Sequence, residues 1–600
     1  MTLLSELWSI LTPPQRRQVL AAQLVSLAMA FSTVTGIAAI APFFAVLGEP
    51  ELIDRNLALR WLYLHCGSPS KPDFVVILGF AFIAMVLLAN AISALGFLIM
   101  NRLAMRIGNQ LQTALYADYL SRPYSFYTAT NSAILVKNVV YDSIRVTHGI
   151  LFNTLMLGTS LATAAFIVLA SLLLKPAVTA AMIVGLAGGY GLIYLAVRNR
   201  VLRSGEALSH LTSEQEQTVN EGFGAIKELI LLQGQGFFRR RFERLSSALA
   251  QAAAHNELVA HSPRYLMECV AAAGLVGVAL VLDGRDDGIG PWLGQLTFLA
   301  FAAYRLVPAL QQIFALIVKI RADRPALALI GPDLRRVQVA RRATAAAVSP
   351  SQPASHSPRR DIRLENVSFR YANERPWALR DVSLSIPAQR SVGIVGANGS
   401  GKTTLVDVIA GLLVPTVGRV MVDGAALDDG NRVGWQARIA CVPQSIFLLD
   451  ASIAENIALG IELPDIDPER LHEAARLAQL DELLDALPQG LQHRVGERGI
   501  QLSGGQRQRI GIARALYRQA SVLLLDEATN ALDGLSEQEL MTTLGMLKGR
   551  YTSVLIAHRM STVRACDLIF QLEHGKVIAS GTYDQLLRDS ETFRRMAGLR

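Results

Sequence analysis

Apolar residues in this chain are not spread evenly, and that constrains the fold more than any other feature. Long apolar runs fill the first 320 or so of its 600 residues, whereas the remainder reads as an ordinary soluble α/β sequence. A membrane-crossing helix needs roughly 20 mostly apolar residues. Six stretches meet that need: about 19–47, 75–100, 150–173, 177–197, 265–283 and 292–318. Apolar residues make up 51% of the chain and charged residues 18%, a balance foreign to soluble enzymes. The expected class is therefore an α-helical six-span transmembrane domain followed by a soluble α/β domain.

The net charge of +8 would suit a nucleic-acid partner, but its distribution does not. Arg102, Arg106, Arg122, Lys137 and Arg145 lie after the second span, and Arg198, Arg200, Arg203, Lys227, Arg239, Arg240, Arg241 and Arg244 after the fourth. The hairpins near 174–176 and 283–291 are short and poor in positive charge. Basic loops stay cytoplasmic, so both termini and the soluble half are expected there, with no nucleic acid as partner. Arg16 and Arg17 precede an apolar run too long for a signal-peptide core, which predicts a retained first helix. Cys66, Cys269, Cys441 and Cys566 are scattered, with neither metal-ligand nor disulfide spacing.

Helical periodicity continues through 101–120 and 201–232, beyond the hydrocarbon signal. A helix from 75 to 118 would run roughly 65 Å, about twice the hydrocarbon thickness. Long cytoplasmic extensions are thus predicted, ending in turn-prone, aromatic segments at 122–127 and 234–238. Exposed aromatic pairs at such tips are expected to dock and to pass force to the soluble half. Residues 332–360, rich in Ala, Ser, Pro and Arg, read as a flexible linker between a transmembrane domain at 1–331 and a soluble domain at 361–600.

In the soluble half, Gly396-Ala397-Asn398-Gly399-Ser400-Gly401-Lys402-Thr403 follows an apolar strand and opens a helix beginning near Thr404. This is the phosphate-loop pattern in its required context. Its amides can wrap phosphate oxygens, with Lys402 reaching the β- and γ-phosphates of ATP and Thr403 a Mg²⁺ ion. The buried run from Val522 to Leu525 ends in Asp526, suited to supporting Mg²⁺, and Glu527, suited to polarising the attacking water.

Between these motifs stands Leu502-Ser503-Gly504-Gly505-Gln506, which resembles the signature of the ATP-binding cassette (ABC) proteins. The resemblance implies further roles. Tyr371 stands where the family stacks an aromatic ring on adenine. Gln444 corresponds to the glutamine that senses Mg²⁺ and faces the membrane half. Asp533 corresponds to the inter-subunit aspartate, and His558 to the γ-phosphate histidine. The aspartate loop opens with Asn530 where serine is usual. In this family Ser503, Gly504, Gly505 and Gln506 close over the phosphate loop of a second subunit. One membrane half fused to one cassette therefore implies a C₂ homodimer.

Six spans fused to a cassette, with Val495-Gly496-Glu497-Arg498-Gly499 before the signature, resemble the exporters of this superfamily. Glu221–Glu228, Ser262–Glu268 and Arg122–Phe126 resemble the branch that flips lipid-linked oligosaccharides. That branch implies a bacterial inner-membrane flippase carrying a lipid-linked glycan or similar anionic amphiphile outward. Arg264 and Arg305, at the start of the fifth span and within the sixth, are costly in lipid and suit phosphate, which guanidinium binds bidentately. A competing account pairs Arg264 with Glu268, one turn on, and has Arg305 snorkel or cap a carbonyl. Two other readings stand beside the flippase: a general lipid or multidrug exporter, and a membrane-anchored ATPase acting on nucleic acid. The loop 49–73, with Leu57, Leu59, Trp61, Leu62 and Leu64 among arginines, is expected either in the membrane interface or packed on helix ends.

Overall fold

The computed structural model describes residues 3–38, 43, 46, 51–55, 57–67, 69–174, 176–283, 289–346, 357–372, 374–527, 542, 545, 549–557 and 559–597. The chain divides into two compact units. One comprises residues 1–122 and 130–348, the other 123–129 and 349–600.

The first unit is helical. Each expected span overlaps a helix: Pro13–Ala38, Lys71–Leu120, Asn153–Leu174, Pro176–Gly224, Pro263–Asp283 and Ile289–Ala346. The first of these is described only to Ala38, so the last nine positions of that span lie outside the described helix. Among the described residues, Pro13–Thr35, Lys71–Leu120 and Ser132–Leu172 are long and apolar enough to cross a membrane. The long extensions are present. Lys71–Leu120 runs 50 residues, roughly 75 Å. Ser70 caps its start by accepting from the Asp73 amide.

Two segments differ from the sequence expectation. The first is 332–346, read as part of a flexible linker, where the helix Ile289–Ala346 continues. Leu327, Ile330, Leu334 and Val337 form a buried stripe at helical spacing there, and Gln338 Nε2 donates to the Ile10 carbonyl at 3.2 Å. Packing on the N-terminal helix Leu3–Ile10 overrides the helix-breaking tendency of Pro325 and Pro332. The second is the pair of turn-prone tips. Tyr124–Ala129 is a short helix that belongs to the second unit. Gly234 is instead the N-cap of the helix Gln235–His261, after a break at Gln233 with φ +52°.

The stretch Ser132–Leu174 is wound as a π-helix over Asn138–Asp142 and again over Arg145–Phe152. These turns carry a buried ionic cluster. Arg145 Nε donates to Asp323 Oδ1 at 2.8 Å, and Lys137 Nζ lies 3.5 Å from Asp142 Oδ2. Glycines allow the neighbouring helices in: a Cβ on Gly149 would lie 2.0 Å from Asp323 Oδ2, and one on Gly205 2.2 Å from the Ala322 carbonyl oxygen.

The second unit is α/β, in two sheets. Leu379–Pro387, Asp361–Phe369, Val417–Val422 and Ala425–Ala426 pair antiparallel in that order. The larger sheet runs Lys576–Gly581, Leu568–Glu573, Ser391–Gly396, Thr552–Ile556, Val522–Asp526, Ile439–Val442, parallel except at its first pair. Its strands Ser391–Gly396 and Val522–Asp526 are near-continuous buried runs, as covering on both faces requires. Asp423 fixes the entry to the unit, accepting from the amides of Arg359, Arg360 and Asp361 at 2.7–3.2 Å.

Candidate functional site: a phosphate cradle at the strand ends

The parallel sheet places the chemistry. Strands Ser391–Gly396 and Val522–Asp526 flank Thr552–Ile556, so the phosphate loop and the Asp526–Glu527 pair leave neighbouring C-terminal edges. Open α/β sheets bind ligands at that edge. A cavity of about 580 Å³ opens there, lined by Ala378, Asn398, Gly399, Gly401, Lys402, Thr403, Thr404, Gln444 and Glu527.

Glycine is required in the loop. Gly401 has φ +101°, and a Cβ there would lie 2.6 Å from the Ala378 carbonyl oxygen. Helix Lys402–Ile409 starts immediately after it, aiming free amides at the cavity. The Lys402 ammonium is mostly buried and donates to the carbonyls of Gly396 and Ala397 at 2.9 and 3.0 Å. Burial lowers its pKa, opposed by the charges of Glu527 and Asp526. The buried Ser400 hydroxyl has no hydrogen-bond partner. A buried hydroxyl with no protein partner, a lysine and a helix N-terminus fit a polyphosphate, whose oxygens would supply the missing acceptors.

Gln444 Nε2 donates to Glu527 Oε2 at 2.6 Å, so two of the sequence-predicted residues meet directly. Glu527 holds φ +51°, a left-handed conformation that costs a non-glycine residue about 1–3 kcal/mol. Its N–H donates to the Ile556 carbonyl at 3.1 Å and its carbonyl accepts from Gln508 Nε2 at 3.3 Å. Tyr371 packs edge-on against Phe369 and shares a 3.0 Å hydrogen bond with the Thr404 hydroxyl, leaving it 42% exposed.

Ser503 caps the helix Gly504–Tyr517 in a reciprocal box with Gln506. None of Ser503, Gly504, Gly505 and Gln506 lines the Lys402 cavity. Gly504 instead lines a separate cavity of about 430 Å³ with Gln444, Phe447, Arg498 and Arg507. Asn530, Asp533 and His558 lie outside the described residues, as does the Arg305 side chain.

Family models match both halves. The ABC transporter transmembrane region matches residues 57–285, and the ABC transporter model matches residues 379–530. The ATP-dependent lipid A-core flippase of Ralstonia nicotianae is 31% identical over 485 residues, covering 80% of this chain and 79% of that protein. This chain belongs to the ABC transporters. The flippase of the same description from Burkholderia orbicola is 28% identical over 597 residues, covering 98% of this chain and 94% of its own. A bacterial Atm1-family ABC exporter with ATP bound shares the fold, with a TM-score of 0.78 at 22% identity over 97% of this chain and 98% of that one. The exporter architecture and the fused ATPase expected from the sequence are thus both present. As an ABC transporter, the protein couples ATP hydrolysis to transport.

Sequence reasoning did not single out Asp407, which sits in the helix Lys402–Ile409 that follows the phosphate loop. Burial pushes its carboxyl up to about 6, and the charge of Asp526 adds to the shift. Its charge also acts on Tyr124 of the short helix Tyr124–Ala129, whose hydroxyl is raised by burial and then by Asp407, Tyr371 and Cys441. The folded state therefore holds the Asp407 proton more tightly than the unfolded chain, where the value is 3.8. Its contribution to stability is complete below 3.8 and is lost as pH rises through about 6. In the ABC transporter without nucleotide or divalent cation, Asp407→Asn should remove that slope. Relative to wild type, the variant's melting temperature should rise between pH 4 and 7; parallel pH curves for the two proteins would refute the assignment.

Proposed function

We propose that this ABC transporter is a homodimeric, ATP-driven flippase that carries an anionic glycolipid from the cytoplasmic to the outer leaflet of a bacterial inner membrane. Its cassette then lies in the cytoplasm. The observation that carries the reading is the extent of the match to the lipid A-core flippases. Identity extends over 80–98% of the chain, so it takes in the membrane half, where cargo is chosen, as well as the ATPase. Lipid-linked oligosaccharide, the cargo class suggested by the motifs at 122–126, 221–228 and 262–268, shares the sugar-bearing, lipid-anchored chemistry.

The membrane half supports an anionic headgroup in part. Arg321 donates through Nη1 to the Tyr194 hydroxyl at 2.7 Å, while its buried Nε has no acceptor. A guanidinium with a spare buried N–H favours a phosphate partner. Arg264 supports it less: its Nε donates to Glu268 Oε1 at 2.6 Å, the pairing that competes with a cargo role. The transporter assignment replaces the reading of a membrane-anchored ATPase acting on nucleic acid.

In the ATPase half, Lys402, Ser400 and the loop amides bind the phosphates of ATP. Glu527, steadied by Gln444, orients the attacking water and takes up its proton. Thr403, Gln444 and Asp526 would hold Mg²⁺, which would neutralise phosphate charge. Tyr371 supplies a ring for adenine, and Ser503 with its neighbouring amides supplies an anion site for the nucleotide of the second subunit.

The test is ATPase activity in proteoliposomes, wild type against Arg305→Ala and Arg321→Ala, with lipid A-core, an undecaprenyl-pyrophosphate-linked sugar or a neutral glycolipid. Stimulation by the anionic lipids that falls several-fold in the arginine variants is expected. Equal stimulation by the neutral lipid, undiminished in the variants, would favour a general lipid or multidrug exporter.

A further inference from the structure

The helix headed by Ser503 carries a second glutamine, Gln508, which no motif argument above uses. It is 3% exposed and points inward from the helix Gly504–Tyr517. Its Nε2 donates to the main-chain carbonyl of Glu527 at 3.3 Å. Glu527 is where strand Val522–Asp526 ends, and its left-handed backbone is held from two sides. The amide is fixed by the Ile556 carbonyl on the adjacent strand, and the carbonyl by Gln508. Those two hydrogen bonds set φ and ψ of residue 527, and with them the direction of its Cα–Cβ bond. The carboxylate tip is then met by Gln444 Nε2.

We infer that Gln508 is a positioning residue for ATP hydrolysis: its amide holds the Glu527 carbonyl and so ties the aim of the hydrolytic carboxylate to the signature helix. This rests on the reading of Glu527 as the residue that orients water. The chemical consequence is a link between sites. Ser503, at the start of the helix, is the residue proposed above to engage the nucleotide of the opposing subunit, whereas Gln508, little more than one turn along, holds Glu527 of its own. A shift of the helix on engaging one nucleotide would therefore re-aim the carboxylate at the other.

Two variants of the full-length reconstituted transporter test this. Gln508→Met keeps the volume and removes the donor. It should lower kcat about tenfold while affinity for a non-hydrolysable ATP analogue stays within about twofold, and the Hill coefficient for ATP should fall towards 1. Gln508→Glu keeps the shape but faces the carbonyl with an oxygen. It can donate only when protonated, so its kcat relative to wild type should recover as pH is lowered from 8 to 6. A merely structural role would lower melting temperature, affinity and kcat together and give Gln508→Glu a pH profile parallel to wild type. That result, or a kcat within twofold of wild type in Gln508→Met, would overturn the inference. Glu527→Gln, assayed alongside, separates the two claims: normal turnover in that variant would remove the premise rather than the role of Gln508.

Discussion

Glu527→Gln should bind ATP as wild type does and turn it over roughly 10²–10⁴-fold more slowly, the usual range for loss of a positioned general base. The amide is nearly isosteric, and its oxygen can still accept from Gln444 Nε2, now at 2.6 Å from Glu527 Oε2. The strained backbone at φ +51° keeps both of its main-chain hydrogen bonds. What disappears is the carboxylate proposed as base. The expected signature is therefore a kinetic defect without a binding defect, read by single-turnover hydrolysis against equilibrium nucleotide binding. Lys402→Ala should weaken nucleotide binding itself, because Lys402 is the only lysine lining the cavity among the described residues. Normal turnover by Glu527→Gln would take the carboxylate out of the mechanism.

The second large effect is expected far from nucleotide. Gly149→Ala would put a methyl group 2.0 Å from Asp323 Oδ2, in a π-wound turn packed against the helix Ile289–Ala346. Either the two helices part or Asp323 swings away from Arg145, whose Nε it accepts at 2.8 Å. Overpacking costs about 1–3 kcal/mol, and loss of the half-buried ion pair adds to it. One methyl group should thus lower the melting temperature of the detergent-solubilised protein by many degrees. Gly185→Ala is the control, since a Cβ there meets nothing within 4 Å. Similar melting temperatures for the two variants would mean that the crossing is loose.

The α/β half was the more legible. Phosphate loop, acidic strand end and signature are contiguous patterns whose residue types follow from the chemistry of holding phosphate, and the sheet brings Lys402, Thr403, Gln444 and Glu527 to one cavity. Less was readable where function depends on contacts distant in sequence. Asp407 and Gln508 look like ordinary helix positions until folding sets them beside Asp526 and Glu527. The linker boundary was misplaced because Ala, Arg and Pro at 332–346 mask a buried stripe stabilised by neighbours distant in sequence, the helix Leu3–Ile10 at Gln338 and the Tyr119 and Arg122 side chains at Asp333. Arg321 was overlooked for a related reason: near the end of an apolar run it reads as a flanking charge, and its unmet Nε is visible only once Tyr194 is placed. The π-wound turns have no signal of their own in residue type.

The glycine crossings also have a mechanical consequence. Side chains between helices act as cushions, and rotamer changes let them absorb displacement. At Gly149 and Gly205 one side of the cushion is missing, with the Asp323 side chain and the Ala322 carbonyl packed against bare backbone. Contacts of that kind have low compliance, because the next increment of approach meets steep repulsion. The helices Arg145–Phe152, Pro176–Gly224 and Ile289–Ala346 should then behave at this level as one stiff girder. Work done on any one of them would be delivered to the others with little lost to internal rearrangement.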